Sequence, residues 1–149
     1  MTTLRNRLLV AALVALSAVS PAPTFAAGAE MSAPEALDAA AKGKLKLIDI
    51  RTPQEWRETG VATGATRLNM NHPGGGPGFA EELLKQTGGD KNASVGLICR
   101  TGNRTTQVQR YLEAQGFTKV YNVKEGMAGS AAGPGWIKRG LPLEDCRKC

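Results

Sequence analysis

Cys99 closes an apolar run and opens a glycine-bearing turn that leads into a helical stretch. The residues are Val95-Gly96-Leu97-Ile98, then Cys99-Arg100-Thr101-Gly102-Asn103-Arg104-Thr105, then Thr106 to Gln115. The first N–H groups of a helix have no partner within it, and with the helix dipole they favour negative charge. A thiol placed there is expected to ionise readily and to stand as a thiolate near neutral pH. Arg100 and Arg104 add two full positive charges, and Gly102 lets the backbone take φ > 0 and fold around the sulfur. The segment predicts an anion cradle around a nucleophile. Cys99 is the attacking group, and Arg100, Thr101, Gly102, Asn103, Arg104 and Thr105 form the anion-binding loop.

A strand has to deliver Cys99 and a helix has to receive the chain after it. Ser32-Ala33-Pro34-Glu35 has capping-box spacing with proline in the first turn, so a helix starts there and ends at Gly43. Lys46 to Ile50 is a strand signal, Pro53 opens a short helix to about Glu58, and Thr66 to Met70 is a second strand. His72-Pro73-Gly74-Gly75-Gly76-Pro77-Gly78 predicts a loop. Phe79 to Gln86 is a helix with Phe79, Leu83 and Leu84 inward, and Val95 to Ile98 is a buried strand. Thr105 to Gln115 is a helix closed by Gly116, and Lys119 to Val123 is the next strand. Glu125 to Ser130 suggests a helical turn, Gly133-Pro134-Gly135 a break, and the chain from Gly140 onward an irregular tail.

Strands alternating with helices predict an α/β fold: a parallel sheet of about five strands with helices on both faces. Ligands of such sheets bind beyond the carboxyl ends of the strands, where Cys99 and Asp49 both fall.

The Cys-x-x-Gly-x-Arg turn resembles the active-site loop of the rhodanese-domain sulfurtransferases. Asp49-Ile50-Arg51 with Glu55-Trp56 resembles that family's Asp-x-Arg…Glu-aromatic signature. Gly60, Gly64 and Ala65 match its Gly-His-Ile-x-Gly-Ala segment, with Val61 in place of histidine. Tyr121 to Met127 resembles its late Gly-Gly-aliphatic turn, with Glu125 in place of the first glycine. Residues 71 to 78 and 129 to 135 read as glycine-rich insertions, and Trp136 falls slightly late. The resemblance spans about residues 33 to 143.

The resemblance implies a rhodanese-like fold and a sulfurtransferase that needs no cofactor or metal. Cys99 would attack the outer sulfur of thiosulfate or a related donor, release sulfite, and carry the sulfur as a persulfide to a thiol, sulfide or cyanide acceptor. Loop N–H groups would stabilise the charged sulfur. Arg100 and Arg104 would hold sulfonate oxygens, although in the family the second arginine often fixes the loop instead. Asp49 and Arg51 support the site: Asp49 reaches to the loop or its arginines and Arg51 pairs with Glu55, or the two form a structural ion pair. Trp56 and Trp136 read as packing, Met70 and Met127 as apolar filler, and His72, the one histidine, as a surface-loop residue.

The 149 residues divide into three parts. Residues 1–26 read as a secretory signal peptide: Arg5 and Arg7, the apolar run Leu8 to Val19, then Thr24-Phe25-Ala26 at the cleavage site. Residues 27–143 form the rhodanese-like domain and 144–149 a cysteine-containing tail. Cleavage removes Arg5 and Arg7 and no acidic residue, so the formal charge falls from +6 to +4. The remaining basic residues are scattered with few aromatics among them, which suits small anions and argues against nucleic acid. The expected location is the periplasm or outside the cell, with no stable membrane insertion after cleavage. Three cysteines is an odd number for an exported protein. Cys146 and Cys149 could close a small disulfide and leave Cys99 free.

Three other readings compete. The tail pair could serve a sulfur carrier or a thiol-redox protein with a partner protein, against the plainer reading of a structural disulfide. Arsenate reductases and cell-cycle phosphatases that resemble rhodanese carry one residue more in the loop, whereas four lie between Cys99 and Arg104 here, and Ile98 stands where those phosphatases have histidine. An idle binding module is the third, and the presence of Cys99 with both arginines weighs against it.

Overall fold

The structure is a computed structural model, and it describes residues 28–149. The signal-peptide reading of residues 1–26 lies outside the described residues. Among those described, no helix is long and apolar enough to cross a membrane.

The elements in chain order are β1 (Glu30–Met31), α1 (Ala33–Ala41), β2 (Lys46–Asp49), α2 (Pro53–Thr59), β3 (Val61–Ala62), β4 (Thr66–Arg67), α3 (Gly75–Gln86), β5 (Val95–Ile98), α4 (Asn103–Ala114), β6 (Val120–Val123), α5 (Gly135–Lys138) and β7 (Leu143–Glu144). Five strands form one sheet in the order β1-β6-β5-β2-β4, and every pairing in it is parallel. The strand that leads into Cys99 is therefore central, paired with β2 through Asp49 and Ile98 and with β6 through Leu97 and Asn122. This parallel α/β architecture is the one the alternation of elements predicted.

Side-chain alternation divides the core in two. Ile48, Val95 and Leu97 join Phe79 and Leu83 of α3 and Val108 and Leu112 of α4 on one face. Leu47, Ile98 and Val123 join Ala33 and Ala36 of α1 and Trp136 of α5 on the other. A strand whose neighbouring residues both find apolar partners must be covered on both sides. Cys99 continues the first face after Val95 and Leu97.

Local signals set several boundaries. Ser32 and Glu35 form the capping box of α1, as the spacing predicts, and Thr52 and Glu55 form an equivalent one at α2. The glycine run expected to be loop differs: α3 begins at Gly75, inside it. A Cβ on Gly76 would stand 2.9 Å from the Tyr111 ring and one on Gly78 2.6 Å from His72. The helix starts there because the missing side chains let its first turn pack against both rings, a tertiary gain that outweighs the poor helix propensity of glycine. The Glu125–Ser130 segment is a turn rather than a helix, and the strand expected to Met70 is assigned only over Thr66–Arg67. Parallel bonding nonetheless continues from Leu68 N to Asp49 O and from Met70 N to Ile50 O.

The chain end is more ordered than its sequence suggests. Gly135 opens α5 instead of ending an element. β7 pairs antiparallel with β3 inside the stretch read as irregular, so the chain passes from the domain into the tail through a paired strand.

Candidate active site

The turn after β5 is built backbone first. Gly102 takes φ +84° and caps α4 without a side chain, and a Cβ there would overlap the Lys124 carbonyl. Gly126 takes φ +65° in the facing turn, where a Cβ would sit 2.5 Å from the Arg100 carbonyl. These glycines let two turns meet main chain to main chain. Met127 N donates to Cys99 O and Ala128 N to Arg100 O, each at 2.9 Å. Asn122 Nδ2 donates to Gly102 O at 3.3 Å and to Thr106 Oγ1 at 3.0 Å.

The Cys99 side chain is fully buried. Its Sγ accepts the Gly102 N–H at 3.2 Å and lies 3.5 Å from Thr105 Oγ1. Thr105 Oγ1 also donates to Gly102 O at 2.8 Å. One hydroxyl carries one hydrogen, so while it serves Gly102 the thiol can only donate to the threonine oxygen. When the sulfur becomes negative, rotation of that hydroxyl supplies a second donor. Gly102 N and Thr105 thus favour negative charge on the sulfur, and the N-terminus of the twelve-residue α4 adds its dipole. Thr101 is partly exposed, and Asn103 begins α4 on the surface.

The two loop arginines part company. Arg104 forms a fork with Glu55, Nη1 to Oε2 at 2.8 Å and Nη2 to Oε1 at 2.5 Å. The same Glu55 Oε2 accepts from the Thr52 N–H of the α2 cap at 3.0 Å. The Arg104 fork holds the Glu55 carboxyl down at about 2, against the opposing effect of burial, and Glu55 in turn raises Arg104 above its ordinary value. Arg104 therefore ties the start of α4 to α2. Arg100 remains exposed and forms no salt bridge among the described residues. It borders a cleft of about 120 Å³ together with Glu55, Glu58, Met127 and Ile137.

Asp49 and Arg51 form a buried ion pair. Arg51 Nη2 meets Asp49 Oδ2 at 2.7 Å and Nε meets Oδ1 at 3.0 Å. The remaining guanidinium hydrogens bind the Glu55 carbonyl, Thr59 Oγ1 and the Gly60 carbonyl, the last at 2.8 Å. Of the two expectations the structural ion pair is the one found, and the pairing of Arg51 with the Glu55 carboxylate is corrected, because Arg104 occupies that carboxylate. The ion pair also corrects the expected reach of Asp49 to the loop: Arg51, two residues away, takes both of its oxygens. The pair anchors α2, and α2 presents Glu55 to Arg104.

Sequence reading missed Glu125, taken only as a replaced glycine. It is 2% exposed and accepts from Ala33 N, Gly135 N and Arg139 Nε, each at 2.8 Å. Burial pushes its carboxyl up, but Arg139 and the two N–H groups outweigh that and hold it below the ordinary value. Glu125 thereby fixes the turn that backs the Cys99 loop. An acidic residue at a turn that otherwise favours glycine was the available signal.

His72 lies at the approach to α3, where its Nδ1 accepts the Gly74 N–H at 3.0 Å. Trp56, Trp136 and Met127 are buried as packing residues. Cys146 and Cys149 are joined by a disulfide, and Cys99 is free. Among the described residues no cluster of histidine, cysteine and acidic side chains could hold a metal ion.

Comparison with known proteins adds to this geometry. The Rhodanese-like domain family matches residues 32–132. A sulfurtransferase of Allochromatium vinosum is 32% identical over 97 residues, covering 65% of this chain and 76% of that protein. An uncharacterized protein of Rickettsia prowazekii is 25% identical over 107 residues, covering 66% of this chain and 81% of its own. Among solved structures, the polysulfide-sulfur transferase homodimer of Wolinella succinogenes aligns with a TM-score of 0.60 at 25% identity, over 80% of each chain.

Proposed function

The chain belongs to the rhodanese-like domain family, and from that premise we propose that it moves sulfane sulfur through a persulfide on Cys99. The observation that carries the reading is the sulfur's setting: Cys99 Sγ faces the Gly102 N–H and the Thr105 hydroxyl at the head of α4. These donors suit a thiolate, and they suit equally the terminal sulfur of a persulfide, which also bears negative charge.

In the first half-reaction the Cys99 thiolate attacks the sulfane sulfur of thiosulfate. The sulfur–sulfur bond of the donor breaks, sulfite departs with the electron pair, and Cys99 keeps the sulfur. In the second, a thiol, sulfide or cyanide acceptor attacks that outer sulfur and the thiolate is regenerated. Arg100, exposed beside the cleft and without a carboxylate partner among the described residues, meets the sulfonate oxygens. Arg104 holds the loop through Glu55 instead. Polysulfide is a second donor worth testing, because the Wolinella succinogenes relative is a polysulfide-sulfur transferase. The protein works outside the cytoplasm after loss of residues 1–26, on small sulfur anions and without a cofactor. The oxyanion-reductase and phosphatase reading is disfavoured, since the arginine those reactions need on the anion is engaged by Glu55.

The test is the intact mass of the reduced protein after incubation with thiosulfate or polysulfide, beside Cys99→Ser. A gain of one sulfur atom on the wild type alone is expected with at least one donor. No gain with either donor, while Cys99 still reacts with an alkylating agent, would sink the proposal.

A further inference from the structure

The sulfur-transfer reading makes no use of the cysteine pair at the chain end. The two sulfurs of that pair are unequally placed. Cys146 is 5% exposed and packs with Trp56 and Val61, whereas Cys149 is exposed. Arg67 of β4 sets its Nη1 3.1 Å from Cys146 Sγ and rests 5.8 Å over the Trp56 ring.

Among the described residues Arg67 has no carboxylate partner. The acidic side chains beside it are engaged elsewhere. Asp145 forms a fork with Arg147, and Glu144 accepts the Gly64 N–H at 2.8 Å. A cation set against a sulfur, with no anion of its own, gains one when that sulfur becomes a thiolate.

The pair is also open to attack. A cleft of about 660 Å³ is lined by Asp145 to Cys149, and a second of about 150 Å³ by both cysteines with Val61, Ala65 and Arg67. Stability is a weak account of the bridge. It joins positions three apart, so it removes less unfolded-chain entropy than a long-range bridge would. β7 and the Glu144–Gly64 bond already fasten the tail to the domain.

We propose that Cys146 and Cys149 form a thiol–disulfide exchange site that reacts with a dithiol partner, Cys149 being the sulfur attacked and Cys146 the leaving sulfur held by Arg67. A partner thiolate attacks Cys149 Sγ. The Cys146–Cys149 bond breaks, and its electron pair stays on Cys146 Sγ against the Arg67 guanidinium. The partner and Cys149 are then joined in a mixed disulfide. The partner's second thiolate attacks its own sulfur in that bond and releases Cys149 as thiolate. The two tail sulfurs take up two protons. The partner dithiol is oxidised to its disulfide by two electrons, and the tail pair is reduced by the same two. The reverse sequence oxidises the tail. Burial beside Trp56 and Val61 alone would disfavour a Cys146 thiolate, and Arg67 is what offsets it. A better-stabilised leaving thiolate departs faster.

Two measurements on the full chain test this, with dithiothreitol as the dithiol and 2-mercaptoethanol as the monothiol. Native protein is exposed to 2-mercaptoethanol, quenched with acid, alkylated and digested, and the position of the mixed disulfide is read by mass. The adduct is expected on Cys149 with Cys146 free. An even split, a preference for Cys146, or a bond that opens only in denaturant would each overturn the proposal. The rate of reduction by dithiothreitol is then compared in wild type, Arg67→Gln and Arg67→Lys, with melting temperatures as the folding control. Loss of the guanidinium is expected to slow reduction by at least about threefold, through the poorer leaving group, and lysine to restore part of it. An unchanged rate in a folded Arg67→Gln protein would exclude the role of Arg67. Peptides carrying Cys99 separate from the tail peptides, so failure of sulfur loading at Cys99 has no bearing on either result.

Discussion

The Cys99 loop and the Cys146–Cys149 tail place the same element in opposite settings. Cys99 lies at the carboxyl end of a central strand, fully buried, with its main chain clamped to the 122–128 turn. The tail pair lies past a two-residue antiparallel strand, with one sulfur buried and the other exposed. In the loop, donors come from the backbone and a threonine, fixed by glycines that permit close approach. In the tail, the polar group against the buried sulfur is one arginine, Arg67 of β4. A sulfur held by main-chain geometry depends on the fold as a whole. A sulfur held by a single side chain depends on that side chain.

The largest expected effect separates the two regions outright. Cys99→Ser abolishes sulfur loading from thiosulfate or polysulfide, whereas Cys146→Ser with Cys149→Ser leaves loading within about twofold, as fits sites that share no partner. Intact mass after donor treatment measures both. Loss of loading in the tail variant would merge the two centres into one.

Next come the supports of the loop. Asp49→Ala leaves Arg51 buried without its counter-ion and should destabilise the protein by about 3–5 kcal/mol, read as a shift in the urea midpoint. Gly102→Ala puts a side chain at positive φ against the Lys124 carbonyl. It should cost about 2–4 kcal/mol by combined strain and overpacking and should impair sulfur loading as well. A Gly102→Ala protein of wild-type stability would show that the turn is softer than its contacts imply.

The smallest effect concerns the Glu55–Arg104 fork. The Glu55 carboxyl is lowered from 4.5 to about 2 in the folded protein. The unfolded state therefore binds the proton first as pH falls, and the fork's contribution is complete above pH 4.5 and is lost as pH falls through about 2. The pair is partly exposed, so solvent screening limits that contribution to about 1 kcal/mol. Denaturation of wild type and Glu55→Gln across this range should show a constant gap above pH 4.5 that closes toward pH 2. A gap that does not change with pH would assign the effect to packing.

Much of the molecule was legible because its signals are local. The boundaries of β5 fall where the apolar run begins and ends, and Ser32-x-x-Glu35 carries its own capping geometry. The Cys99 turn declares itself because a cysteine, a glycine and a helix start stand within a few positions of one another. The start of α3 was not legible, because glycine disfavours a helix locally and only Tyr111 and His72, packed against the run, make it favourable. β7 was equally hidden: Leu143 and Glu144 resemble any tail until Val61 and Ala62 offer a free edge.

The site divides along the same line. Residue order alone determined that Cys99 would sit at the carboxyl end of a strand, before a helix, within a parallel α/β sheet. Those features follow from periodicity and from chemistry between near neighbours. Pairings between distant segments were decided only by the tertiary structure. Two arginines four positions apart look interchangeable until Glu55, 49 residues away, takes Arg104 and leaves Arg100 to the cleft. Glu125 looks like a lost glycine until α1 and α5 bring it two N–H groups and a guanidinium. A charge is satisfied by whatever lies within about 3 Å of it, and for these residues that is set by the packing of the elements and not by their order along the chain.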